Sequence, residues 1–135
     1  MYKNNTIKEK KQSKLNPDFK IGNLANDLVA YTLDICNREN NKPTRFPTKY
    51  YDSYVTEIVR SAINLHKEVC YANAKRVSVN KRIEAQENAL GECVNLEHLI
   101  LIAYDKGWIS DKQHTFWQNQ ICSLHYMIIR WMTAV

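Results

Sequence analysis

Four stretches of apolar residues at heptad-like spacing constrain this chain more than any other feature. In the first, Ile21, Leu24, Leu28, Tyr31 and Ile35 recur by threes and fours. The second runs through Val55, Ile58, Ala62, Leu65, Val69 and Ala72, and the third through Ala85, Ala89, Cys93, Leu96, Ile100 and Ala103. The fourth contains Trp117, Ile121, Leu124, Ile128 and Trp131. Such spacing puts each set on one face of a helix. A helix with one apolar face must bury it against another element, so the pattern predicts an all-α fold. Three Gly and three Pro in 135 residues leave little material for the many tight turns of an all-β chain.

Punctuation separates the four stretches. Asn16 and Pro17 suit the cap and first position of helix 1. The run NNKPTRFPTKYY, with two prolines, breaks the chain between helices 1 and 2. Ser78 or Asn80 can cap helix 3, and Gly107 suits the left-handed position after it, with Trp108 as the apolar closure. Ser110 caps helix 4, and Gln113 completes a capping box. Apart from the first, the connections are short, which makes consecutive helices antiparallel neighbours. The expected architecture is an antiparallel up-down-up-down four-helix bundle over residues 17–135. Residues 1–16 lack the pattern and are expected to form a disordered basic tail.

Several function classes lack the residues they need. No apolar run approaches the ~20 residues of a membrane span, and the polar N-terminus, with no apolar core, is not expected to act as a secretory leader. A cytoplasmic location is expected. Cys36, Cys70, Cys93 and Cys122 form no C-x-x-C or zinc spacing, and each sits in a different helical pattern as a small hydrophobe. A di-metal bundle site needs Glu-x-x-His pairs; the nearest match, Asp111-x-x-His114, falls in the first turn of helix 4. His66, His98, His114 and His125 suggest no nucleophile–base pair, and no Gly-rich phosphate loop is present. No catalytic residue, metal or cofactor is expected.

The surface carries the remaining signal. The net charge of +5 is segregated: +4 over residues 1–17, −2 over 18–37, +6 over 38–82 and −3 over 83–135. A local field of one sign attracts a polyanion even when the net charge is small. Arg60, Lys67, Lys75, Arg76, Lys81 and Arg82 are the candidate nucleic-acid-binding residues. The first two share an outward face of helix 2. Lys75 and Arg76 are expected to end helix 2, where cations suit the macrodipole, and so need no ligand. Lys81 and Arg82 start helix 3 against the dipole, which points to an anion. A plain solvated hairpin end is the competing reading. Tyr50, Tyr51, Tyr54 and Tyr71 flank the segment; they are read as packing residues with wet tips, although aromatics beside cations also stack on unpaired bases. Leu99, Ile102, Ile129 and Met132 lie outside the main stripes, an apolar excess that suggests self-association.

The order of these features resembles a known family. RFPTKYY resembles the Phe-Pro close of its first loop, and YANAKR the end of its second helix. HLILIAYDKGWISDKQHTFW is similar to its passage from an apolar third helix through a tight turn and a Ser cap. LHYMIIRW resembles its closing run to Trp. The family is the four-helix-bundle group of accessory variability determinants of diversity-generating retroelements, shared with proteins encoded in 23S rRNA intervening sequences. The chain departs from it at Leu124-His125-Tyr126, where the family usually carries Ile-Gly-Arg. The resemblance implies a homo-oligomer, a pentamer in the variability determinants. It implies a basic surface for RNA or DNA, a complex with a reverse transcriptase during mutagenic cDNA synthesis, and no catalysis. The intervening-sequence branch implies instead a structural or interaction protein with no nucleic-acid role.

Overall fold

A computed structural model describes residues 19–39 and 42–134. The expected tail over residues 1–16 lies outside them, and helix 1, expected to start at Asn16–Pro17, starts at Lys20 after a non-helical Phe19. Four α-helices, and no strand, occur among the described residues: α1 (Lys20–Ile35), α2 (Thr56–Ala72), α3 (Val79–Asp105) and α4 (Asp111–Thr133). None is long and apolar enough to cross a membrane.

The helix ends follow local chemistry. Ser78 Oγ accepts the Lys81 amide at 3.2 Å and starts α3. At the end of α3, Gly107 takes φ 78°. The Trp108 and Gly107 amides then return to the carbonyls of Ala103 and Tyr104, both at 2.9 Å. This doubly bonded left-handed close needs a residue without Cβ strain. Ser110 and Gln113 exchange both bonds of a capping box, at 3.1 and 2.8 Å, and start α4. The run into α2 is more irregular. A 3-10 turn (Thr48–Tyr50) and a π turn (Tyr51–Val55) precede it, and the Thr56 hydroxyl donates to the Tyr51 carbonyl.

The α2 and α3 stripes are buried as expected, joined by Ser61 and Gln86, and so are Trp117, Ile121, Leu124 and Ile128 of α4. Trp131 is half-buried, edge-on to Phe19. The α1 stripe differs from expectation. Leu28 and Ile35 are buried, but the rest of the inward face is Gly22, Ala25 and Thr32 instead of Ile21, Leu24 and Tyr31, which are half-buried at its edge. A hydroxyl turns the helix. Thr32 Oγ1 accepts the Trp117 indole N–H at 3.0 Å, with both residues fully buried, while Tyr31 packs beside Phe116 and Trp117.

Helix α1 packs on α2 and α4, α2 on α3, and α3 on α4, whereas the diagonal pairs make no close backbone approach among the described residues. Cross-helix contacts run in opposite order along three of the packed pairs, α2 with α3, α3 with α4 and α1 with α4. Tyr54 of the π turn and Ser61 and Ala72 of α2 meet Leu99, Glu92 and Arg82 of α3. Tyr104 and Glu97 of α3 meet Asp111 and Cys122 of α4. Phe19 and Thr32 meet Trp131 and Trp117. Consequently, the start of α1, the α2–α3 turn and the end of α4 share one end of the fold.

Candidate nucleic-acid interface

The α2–α3 turn begins earlier than its charges suggest. Helix α2 stops at Ala72, so Lys75 and Arg76 lie in the turn beyond it. Both are exposed and, among the described residues, neither makes an ion pair. The cation that serves the end of α2 is Arg82, whose Nε donates to the Ala72 carbonyl at 3.0 Å. Lys81 Nζ lies 3.4 Å from Glu84. The dipole argument is therefore inverted by tertiary geometry. Arg82 starts α3 in sequence but sits against the negative end of α2 in space, where a cation is favourable. Lys75 and Arg76 are the pair left without a structural partner.

Two further cations join this end. Lys20, at the start of α1, and Arg130, near the end of α4, are both exposed, and Arg130 lies over the Tyr126 ring at 5.7 Å. Neither belongs to the basic segment of the sequence; antiparallel helix order is the signal that would have found them. Across residues 19–23, 73–84 and 128–134, six Lys or Arg side chains meet one carboxylate, Glu84. The opposite end is mixed, with six cations and five carboxylates over residues 34–39, 42–52 and 105–112.

Arg60 and Lys67 do not join the cluster. Arg60 lies twelve residues before the end of α2, roughly 18 Å along the axis at 1.5 Å per residue. It is exposed and paired with Glu57. Lys67 is exposed on the outer face of α2 five residues before its end, roughly 7.5 Å along the axis from Ala72. The tyrosines separate as well. Tyr50, Tyr51 and Tyr54 belong to the mixed end, where Tyr50 and Tyr54 lie against Trp108 and Tyr51 against Phe46. The Tyr54 hydroxyl donates to the Leu99 carbonyl, and burial raises its pKa. Tyr71 alone is exposed in the last turn of α2, beside the basic turn.

No family model, no curated protein and no solved structure matches this chain.

Among the described residues, no group of three or more His, Cys, Asp or Glu side chains could hold a metal. Asp111 accepts the Tyr104 hydroxyl, and His114 stacks on the Tyr104 ring at 4.4 Å. His66 Nε2 meets Asn26 Oδ1 and lies 3.7 Å from Cys70 Sγ. The Cys70 thiol is pushed up by burial, so this pair offers no ready thiolate at neutral pH. Burial pushes Cys36 and Cys93 up to about 12. Cys122 departs from the expectation of four hydrophobic thiols: it is exposed on the outer side of α4, 3.5 Å from Glu97. Its pKa is raised by partial desolvation and by that hydrogen bond.

Proposed function

We propose that this protein is a non-catalytic, cytoplasmic accessory factor of a diversity-generating retroelement. In this reading it is an antiparallel up-down-up-down four-helix bundle that self-associates. It binds RNA or DNA at the α2–α3 end and works beside the reverse transcriptase during mutagenic cDNA synthesis. The observation that carries the reading is the one-sided end, six cations against one carboxylate among the described residues, with Lys75 and Arg76 exposed and without an ion pair among them. Arg82 and Lys81 are engaged with the Ala72 carbonyl and Glu84, whereas Lys75 and Arg76 make no ion pair among the described residues, and phosphates are their natural complement. Support for the bundle comes from the opposed order of the cross-helix contacts. Support for the retroelement role comes from the family-like order of RFPTKYY, YANAKR and LHYMIIRW.

Lys75, Arg76 and Lys81 are the primary contacts, with Lys20 and Arg130 extending the surface. Arg82 positions the turn, and Arg60 and Lys67 lie outside the footprint. Binding of labelled single-stranded RNA and DNA, titrated by fluorescence anisotropy over a salt series, tests the reading. Salt-sensitive binding abolished by Lys75→Glu with Arg76→Glu is expected. Binding that survives this double reversal overturns it. No binding even at low salt favours the structural protein of the intervening-sequence type.

A further inference from the structure

The end of α1 and the start of α4 border a pocket of about 580 Å³, and residues 42–44 complete its wall. Its body is apolar. Tyr31 and Phe116 form a tilted pair of rings with centroids 4.7 Å apart, and Ile35 and Pro43 lie around them in the lining. Phe116 remains 52% exposed beside Tyr31, so much of its ring is open to an occupant. A concave site of this size, with aromatic walls and a few fixed polar groups, has the usual form of a small-molecule site.

The polar groups of the lining are fixed but unsatisfied. Gln113 Oε1 accepts the Ser110 amide at 2.8 Å and the Thr44 hydroxyl at 2.9 Å. With its oxygen held in this way, the Gln113 side-chain NH2 has no hydrogen-bond partner among the described residues, and neither has the Tyr31 hydroxyl. The charged residues of the lining are Asp34, Lys42 and Lys112. Asp34 and Lys112 are exposed and make no ion pair among the described residues, with each other or with a third group. Each stands where its own helix carries the same sign. Lys112 is in the first turn of α4, the positive end, and Asp34 is in the last turn of α1, the negative end, which holds no basic residue. Asp111, the acidic residue of that first turn, is turned to the Tyr104 hydroxyl and is not part of the lining. The α4 wall is therefore positive and the α1 wall negative, with aromatic surface between them.

We infer that this pocket binds a small aromatic zwitterion, the class of the free aromatic amino acids. The ring of the ligand lies against Phe116, Tyr31 and Pro43. Its carboxylate meets the Lys112 ammonium and the Gln113 NH2, and its ammonium meets the Asp34 carboxylate at the negative end of α1. Bonds to ionised groups of this kind are the strong ones. An aromatic acid or an aromatic amine satisfies one wall and leaves the charge of the other unmet, whereas a zwitterion complements both. The pocket lies at the end of the fold away from Lys75 and Arg76, so its occupation is independent of nucleic-acid binding.

Isothermal titration calorimetry tests this with four probes: L-tryptophan, L-phenylalanine, indole-3-propionate, which lacks the ammonium, and tryptamine, which lacks the carboxylate. Saturable binding of an aromatic amino acid is expected, with the two analogues weaker than tryptophan by about tenfold, the scale of one hydrogen bond to a charged group. Lys112→Met is expected to weaken tryptophan and leave tryptamine unchanged. Asp34→Asn is expected to weaken tryptophan and leave indole-3-propionate unchanged. Both side chains are exposed and free of ion pairs among the described residues, so both variants are expected to fold, which circular dichroism checks. No saturable binding of tryptophan or phenylalanine at millimolar concentration overturns the inference, and so does binding that neither substitution alters. Analogues that bind as tightly as tryptophan overturn the assigned ligand class. Lys75→Glu with Arg76→Glu is expected to bind the amino acid as the parent does, which separates this result from the nucleic-acid one.

Discussion

Arg82 Nε donates to the Ala72 carbonyl at 3.0 Å, so the first turn of α3 caps the last turn of α2. One guanidinium thereby satisfies an orphan carbonyl and complements the negative helix end. Replacing Arg82 with Met is expected to cost about 1 kcal/mol, the scale of a partly buried hydrogen bond. In a chain of this size that is a melting midpoint lower by about 4 °C. Differential scanning calorimetry checks it, and the salt dependence of nucleic-acid binding is expected to stay unchanged.

Lys75→Ala with Arg76→Ala is expected to act the other way. Both side chains are exposed and free of ion pairs among the described residues, so the melting temperature stays near that of the parent. Loss of two phosphate contacts flattens the plot of log K against log salt by roughly 1.4 for single strands and 1.8 for duplex. A slope that does not change would remove the turn from the interface.

Thr32→Val tests the buried bond that orients α1. The substitution keeps the shape and leaves the Trp117 indole N–H without its acceptor. An unsatisfied buried donor costs about 1–3 kcal/mol. Once Thr32 is Val, adding Trp117→Phe is expected to cost less than Trp117→Phe does in the parent, because the donor has gone. Urea unfolding of the four proteins of this cycle reads the coupling.

Alkaline pH offers an independent check on the core. Cys36 and Cys93 have thiol pKa values raised by burial from 9.0 to about 12. Below pH 9 both thiols are protonated in the folded and unfolded chains and contribute no pH dependence. Above it the unfolded chain releases protons that the folded chain retains, so stability falls as pH rises from about 9 toward 12. A chain carrying Cys36→Ala and Cys93→Ala is expected to lose stability less steeply over that window. At neutral pH, exposed Cys122 is expected to react with a maleimide well before the two buried thiols, as peptide mapping would show.

Much of the fold was legible because repetition is local information. Heptad spacing named the inward faces of α2 and α3 residue by residue, and most of that of α4. Gly107 and the Ser110–Gln113 box marked the α3–α4 corner, since caps depend on only a few consecutive residues. On α1, Leu28 and Ile35 were read correctly, and Gly22, Ala25 and Thr32 take the inward places expected for their neighbours Ile21, Leu24 and Tyr31. Thr32 counts as polar in any periodicity, and only the indole it meets, 85 residues away, explains its burial.

The candidate site was legible in composition but not in arrangement. Four amphipathic helices, the Ser78 cap, the Gly107 close, the Ser110–Gln113 box and an uneven distribution of charge could be read from residue type and near spacing alone. Tertiary structure decided which cations are free. The cross-helix contacts put Lys20 and Arg130 at the same end of the fold as the α2–α3 turn and left Arg60 farther along α2. It also turned Arg82 onto Ala72, and so left Lys75 and Arg76 outward. Helix dipoles and ion pairs act through space, and a cation's true neighbours are set only when helices distant in sequence meet.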